Sequence, residues 1–236
     1  MAGALRTRFT TQGNSQSAIF SPDGRTVFFS SERSEHSGLY RKPVDGSCPE
    51  ELIYQSSVSN LWGISPDGKF LLYSGSQGTW LLPDPLGAPG KSKPFQLLQI
   101  PTGTGSVQLS PDGRWIAYDS DESGRREVYV VPFPEAGAKR QISGAGGDRP
   151  RWRADGKEVF YFTLDGQLAA VNLAVRDGSF ESGEPQLPFS LGMLLSGYVN
   201  YTYVVSADGQ RILAAVPRTS SDGLTLVQNW PALPKK

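Results

Sequence analysis

Arg149, Arg151 and Arg153 alternate with Pro150 and Trp152, directly after Gly144-Ala145-Gly146-Gly147-Asp148. On an extended segment this spacing puts three guanidiniums on one face or edge. They can salt-bridge to carboxylates such as Asp148 or Asp155, or they can grip the anionic group of a ligand. The glycine-rich run before them lets backbone approach such a ligand closely. Asp148, Arg149 and Arg151 are the leading binding candidates. Tyr198, at the end of the loop preceding the last repeat, is a further one.

Other chemistry finds few residues to carry it. His36 is the only histidine; it reads as an exposed loop residue, with a ligand role as the alternative. No Gly-x-Ser-x-Gly turn is present, so a serine nucleophile relayed through histidine lacks its parts. One cysteine, Cys48, and one histidine cannot build a zinc site. Asp119, Asp121 and Glu122 suggest an acidic loop of solvated charges rather than a calcium loop. There is no phosphate-cradling Gly-x-x-x-x-Gly-Lys-Ser/Thr and no kinase motif. Glycoside hydrolysis would need converging carboxylates. The expected inner segments 17–19, 60–62, 106–108, 149–151 and 202–204 carry none, with Asp148 at the mouth of one. The expectation is no catalytic residue, no metal and no cofactor.

The elements that must position these residues repeat. Ser21-Pro22-Asp23-Gly24, Ser65-Pro66-Asp67-Gly68, Ser110-Pro111-Asp112-Gly113, Arg153-Ala154-Asp155-Gly156 and Ser206-Ala207-Asp208-Gly209 place their aspartates 44, 45, 43 and 53 residues apart. Each reads as a hairpin turn with glycine at positive φ. Apolar pairs precede the turns: Ala18 and Phe20, Trp62 and Ile64, Val107 and Leu109, Pro150 and Trp152, Tyr203 and Val205. Alternation resumes after each turn, as in Val27 and Phe29 or Ile116 and Tyr118. Third strands follow at 38–42, 79–82, 127–131, 167–171 and 224–227, and fourth strands at 51–53, 95–98, 140–142 and 186–189. Four antiparallel strands per unit of this length make a propeller blade. Trp62, Trp80, Trp115 and Trp152 fall at core positions.

This predicts an all-β, single-domain β-propeller over residues 1–236, with five blades at about 15–54, 58–99, 104–143, 148–190 and 198–230. No fourth strand follows Trp230, and Leu5-Arg6-Thr7-Arg8-Phe9-Thr10 stands before the first unit as residues 139–143 stand before the fourth. Residues 5–10 are therefore expected to close the last blade. Residues 82–94, rich in proline and glycine, read as a long outer loop, and residues 176–197 hold surplus length.

The five Asp-Gly turns resemble those of the TolB-like propellers, with their Trp-Ser-Pro-Asp-Gly-like repeats. The similarity covers about residues 5 to 230, although the fourth and fifth turns lack the proline. Residues 120–134 and the ending 224–230 look closest to propellers appended to bacterial serine/threonine kinases. The resemblance implies a non-catalytic binding, sensing or protein-interaction module. Its partner would be a protein, a peptide or a small anionic ligand at the channel mouth. A small propeller hydrolase or lyase is the enzymatic alternative, and a structural fragment of a larger kinase-linked propeller is another.

Composition narrows the classes. Lysines and arginines number 23 against 23 aspartates and glutamates, so no net field favours nucleic acid or an anionic membrane. Hydrophobic residues at 38% and aromatics at 11% argue for a packed core. No apolar run reaches membrane-spanning length, and residues 1–6 lack a signal-peptide core. The expectation is a cytoplasmic monomer, or a periplasmic or extracytoplasmic domain if the chain is part of a longer membrane protein.

Overall fold

The structure, a computed structural model, describes residues 8–75, 77–97, 100–101, 103–135, 137–176, 179–190, 203–215 and 224–227. The chain divides into two compact units, residues 1–102 and 103–236. The described residues form strands and turns, with no helix among them.

Unit 1 holds two four-stranded antiparallel sheets. The first runs β1 (Asn14–Phe20), β2 (Thr26–Glu32), β3 (Gly38–Pro43) and β4 (Glu51–Gln55), and the second β5 (Asn60–Ile64), β6 (Phe70–Gly75), β7 (Gly78–Pro83) and β8 (Phe95–Gln96). Each strand pairs with the next in sequence, the meander of a propeller blade. Phe28, Leu39, Leu61, Leu71 and Leu82 bury together. β2 is buried on both faces, which is why Val27, Phe28 and Phe29 form a continuous apolar run. The long loop expected from residue 82 onward lies between β7 and β8.

Unit 2 begins with β9 (Ser106–Leu109), β10 (Trp115–Ser120), β11 (Glu127–Pro132) and β12 (Arg140–Gln141) in the same meander. The next sheet contains β13 (Asp148–Trp152), β14 (Glu158–Phe162), a long β15 (Gln167–Arg176), β16 (Ser179–Ser182) and β17 (Gln186–Ser190). β17 pairs with the first half of β15 as the expected fourth strand, and β16 pairs with the second half. Part of the surplus length is thus an extra hairpin. A three-stranded sheet follows: β18 (Tyr203–Val205), β19 (Ile212–Ala215) and β20 (Leu224–Val227).

Four of the five repeated turns share one chemistry, with serine at the first position. Gly68 N–H donates to Ser65 O at 2.8 Å, Ser65 Oγ donates to Asp67 Oδ1 at 2.6 Å, and Phe70 N–H donates to Ser65 Oγ at 2.9 Å. Gly68 has φ 73°, and the other four turn glycines lie between 68° and 71°. The Ser65 hydroxyl and the Lys69 N–H hold the Asp67 carboxyl below its usual range. A sixth turn of this kind, Thr163-Leu164-Asp165-Gly166, joins β14 to β15. It falls outside the period of the other five, so spacing alone does not reveal it.

Two expectations need correction, the alternation of β1 and the place of Asp119. Phe20 is 62% exposed and Ala18 is exposed, while Ile19 packs on the core. A bulge between Gln16 and Ala18, with Ser17 at φ 28°, shifts the alternation by one residue. Of the four tryptophans, Trp152 is in the core of its unit and Trp80 and Trp115 pack against the cores of theirs from half-buried positions, as expected, while Trp62 is half-buried. Asp119 is no loop residue: it lies in β10, fully enclosed. Of the expected closing strand, residues 5–7 lie outside the described residues and residues 8–10 form no strand.

Candidate functional site

The three alternating arginines have three different environments. Arg153 takes the place of the turn serine in its repeat. Its guanidinium forks onto Asp155 at 2.8 and 2.9 Å and reaches Glu158 at 2.8 Å. Arg153 therefore salt-bridges, and it holds the turn that Ser65 holds elsewhere. Arg149 lies 3.7 Å from Asp148 through Nε, an ion pair beyond hydrogen-bonding distance. Arg151 donates to Pro150 O at 2.9 Å and to Ser106 Oγ at 3.4 Å, and its guanidinium carbon lies 5.7 Å from the Tyr203 ring centre. Among the described residues no carboxylate pairs with Arg151.

Asp148 is the first residue of β13, at the end of that strand. Strand β10 brings Asp119 close enough for the Asp148 charge to act on it. Asp119 Oδ2 accepts from Arg126 Nη1 at 2.6 Å and Oδ1 from Arg149 N–H at 3.2 Å. Burial, with the Asp148 charge nearby, pushes the Asp119 carboxyl up to about 6 despite Arg126. Arg149 has φ 54°, a strained value for a residue with a side chain. Its N–H is held by Asp119, and its carbonyl accepts from Tyr203 Oη at 2.9 Å. These two bonds keep the backbone in a conformation that costs about 1–3 kcal/mol. Burial raises the Tyr203 hydroxyl well above its usual range, so it remains a donor.

A second enclosed carboxylate shapes the glycine-rich loop. Glu127, 2% exposed, accepts from Gly146 N–H at 3.0 and 3.1 Å, from Arg125 and from Ser143 Oγ. Arg125 also donates to Gly144 O at 3.0 Å. The loop is thus tied down by charge-assisted bonds on both sides of Ala145. Across the site, Trp152 N–H donates to Gln108 Oε1 at 2.7 Å and its indole N–H to Gln108 O at 3.2 Å, which joins β13 to β9.

The structure brings Asp148, Arg149 and Arg151 together. His36 is elsewhere, exposed in the loop between β2 and β3, where its carbonyl accepts from Tyr40 Oη. Tyr198 lies outside the described residues. Asp119, Arg126, Ser106 and Tyr203 join the site without having been singled out for it. A charged residue ending an apolar strand, with its counter-ion seven positions on, was the legible sign of the Asp119–Arg126 pair. No cluster of three metal-ligating side chains occurs among the described residues.

No family model matches the chain. An uncharacterized protein of Agrobacterium fabrum is 25% identical over 179 residues, covering 69% of this chain and 55% of that protein. The chain thus spans about half the length of the curated relative it matches. TolB from Acinetobacter baumannii superposes with a TM-score of 0.63 at 17% identity, over 92% of this chain and 52% of that one. A putative TolB from Agrobacterium tumefaciens gives 0.54 at 21% identity, over 78% and 71%. The periplasmic gluconolactonase of Pseudomonas aeruginosa gives 0.52 at 18% identity, over 94% and 73%. With the repeated four-stranded sheets, these likenesses establish a β-propeller fold, and TolB-like propellers are among its structural relatives.

Proposed function

We propose that this chain is a non-catalytic binding module of the TolB-like propeller type that receives an anionic group at Arg151. The observation that carries the reading is the contrast among neighbouring arginines. Arg125, Arg126, Arg149 and Arg153 each pair with a carboxylate, whereas among the described residues Arg151 is held only by a hydroxyl, a carbonyl and a ring face. A positioned guanidinium with donors to spare suits a carboxylate of a protein, peptide or small ligand. Arg149 and Asp148 form the rim of the same site. The kinase-appended relationship rests on residues 120–134 and 224–230 alone.

A second reading, a propeller hydrolase, draws on one observation: two carboxylates, Asp119 and Asp148, close enough that one raises the other. The gluconolactonase among the structural relatives makes lactones the substrate class to try. Against it, Asp119 is fully enclosed and both its oxygens are occupied, which leaves it no access to a substrate. The two readings separate in one experiment. Wild type and Arg151→Ala are screened against a carboxylate library and in a pull-down, beside lactonase, esterase and glycosidase panels. The binding reading expects capture lost in Arg151→Ala and no turnover. Turnover abolished by Asp148→Asn would overturn it.

A further inference from the structure

Each blade brings three chain segments to one end: the close of its second strand, the start of its third, and the link into the next blade. In unit 2 this place is filled by the enclosed carboxylates Asp119 and Glu127 with their partners. In unit 1 the same place is open. A cavity of about 440 Å³ is lined there by Glu32, Ser37, Gly38 and the link residues 56–59, with Gly75 from β6.

The correspondence is set by register. Ser31 pairs with Gly38 as Ser120 pairs with Glu127, so Gly38 stands where unit 2 has its carboxylate. Ser56 N–H donates to Ser37 O at 3.1 Å as Gly147 N–H donates to Arg126 O at 2.9 Å, so Ser37 stands where unit 2 has a guanidinium. The short Ser37 leaves space where unit 2 has Arg126; at Gly38, by contrast, a Cβ would meet Tyr54 O at 2.2 Å, so β4 itself excludes a side chain there.

The lining is rich in acceptors. Ser37 Oγ donates to Arg33 O at 3.0 Å and accepts from Arg33 N–H at 3.0 Å, and Ser56 Oγ donates to Ser57 O at 3.4 Å, so their protons are spent on their own chain and Ser37 keeps one lone pair to offer. Glu32 is exposed and has no ion pair among the described residues, and its neighbour Arg33 is neutralised by Glu50. Val58 supplies apolar wall. An uncompensated carboxylate among hydroxyl acceptors matches a group with three donors and one positive charge. We infer that this cleft binds the primary ammonium of a small aliphatic amine. The inference is independent of the anion site at Arg151.

The test is an amide chemical-shift titration of the full chain with n-pentylamine, with 1-pentanol as the neutral isostere. The expected result is saturable shifts at residues 56–59 with the amine and none with the alcohol. Glu32→Gln, a change at an exposed side chain, should weaken amine binding about tenfold or more. Absence of saturable shifts, equal response to the alcohol, or undiminished binding by Glu32→Gln would each overturn the assignment.

Discussion

Asp119 is a carboxyl whose surroundings pull in opposite directions. Arg126 and the Arg149 N–H favour its charge, while burial and Asp148 oppose it more strongly and leave it raised from 3.8 to about 6. Between those two values the folded protein holds a proton that the unfolded chain has released. Stability from this group is therefore full below about pH 4 and falls as pH rises to about 6. Asp112 and Asp155 work the other way. Hydrogen bonds from serine or arginine and ion pairing lower them, so their contribution is present at neutral pH and lost in acid. Asp119→Asn isolates the first effect. Urea unfolding at pH 4.5 and 7 should show wild type gaining roughly 1–3 kcal/mol on the variant at the lower pH. A pH-independent difference, or one of opposite sign, would mean that the carboxyl is not raised.

At the scale of the turn, hydroxyl, carboxylate and glycine act as one unit. Ser65 is buried, donates to Asp67 and accepts from Phe70 N–H. Ser65→Ala should cost about 1–2 kcal/mol, because the Phe70 N–H loses its acceptor in a closed site. Gly24 has φ 70°, and no atom lies within 4 Å of the place a methyl group would take there. Gly24→Ala should therefore cost only the backbone strain, about 1 kcal/mol. Thermal or urea melts of both variants check this, and equal stability to wild type would show that the turns are not structural. These turns were the legible part of the sequence, since Ser-Pro-Asp-Gly fixes a conformation locally. The inward face of β1 was not legible, because the bulge at Ser17 depends on pairing with β2. Nor was the division of labour among the arginines, which depends on what β9, β10 and β18 bring to β13.

At the scale of the whole molecule, the N-terminal segment is the piece to remove. Phe9 packs against Val27, Phe29 and Tyr40, and Lys42 Nζ donates to Phe9 O at 2.8 Å. Ile53, the same distance ahead of its turn serine, packs likewise against Leu61 and Leu71 of the following sheet. Phe9 stands to the first sheet as Ile53 stands to the second. We propose on this ground that Phe9 anchors the N-terminal segment on the first sheet. Deleting residues 1–10 should cost about 1–3 kcal/mol, because Val27, Phe29 and Tyr40 lose the apolar cover of Phe9. An unchanged melting temperature would contradict the assignment.

The central claim, recognition of an anionic group by Arg151, is most directly tested by calorimetric titration of a carboxylate ligand from the screen into wild type, Arg151→Ala and Arg151→Lys. A charge-assisted bond contributes about 1.5–3 kcal/mol, so Arg151→Ala should weaken binding by roughly 10- to 150-fold. Arg151→Lys should recover part of the loss, because it restores the charge without the planar fork. Equal dissociation constants for wild type and Arg151→Ala would contradict the account.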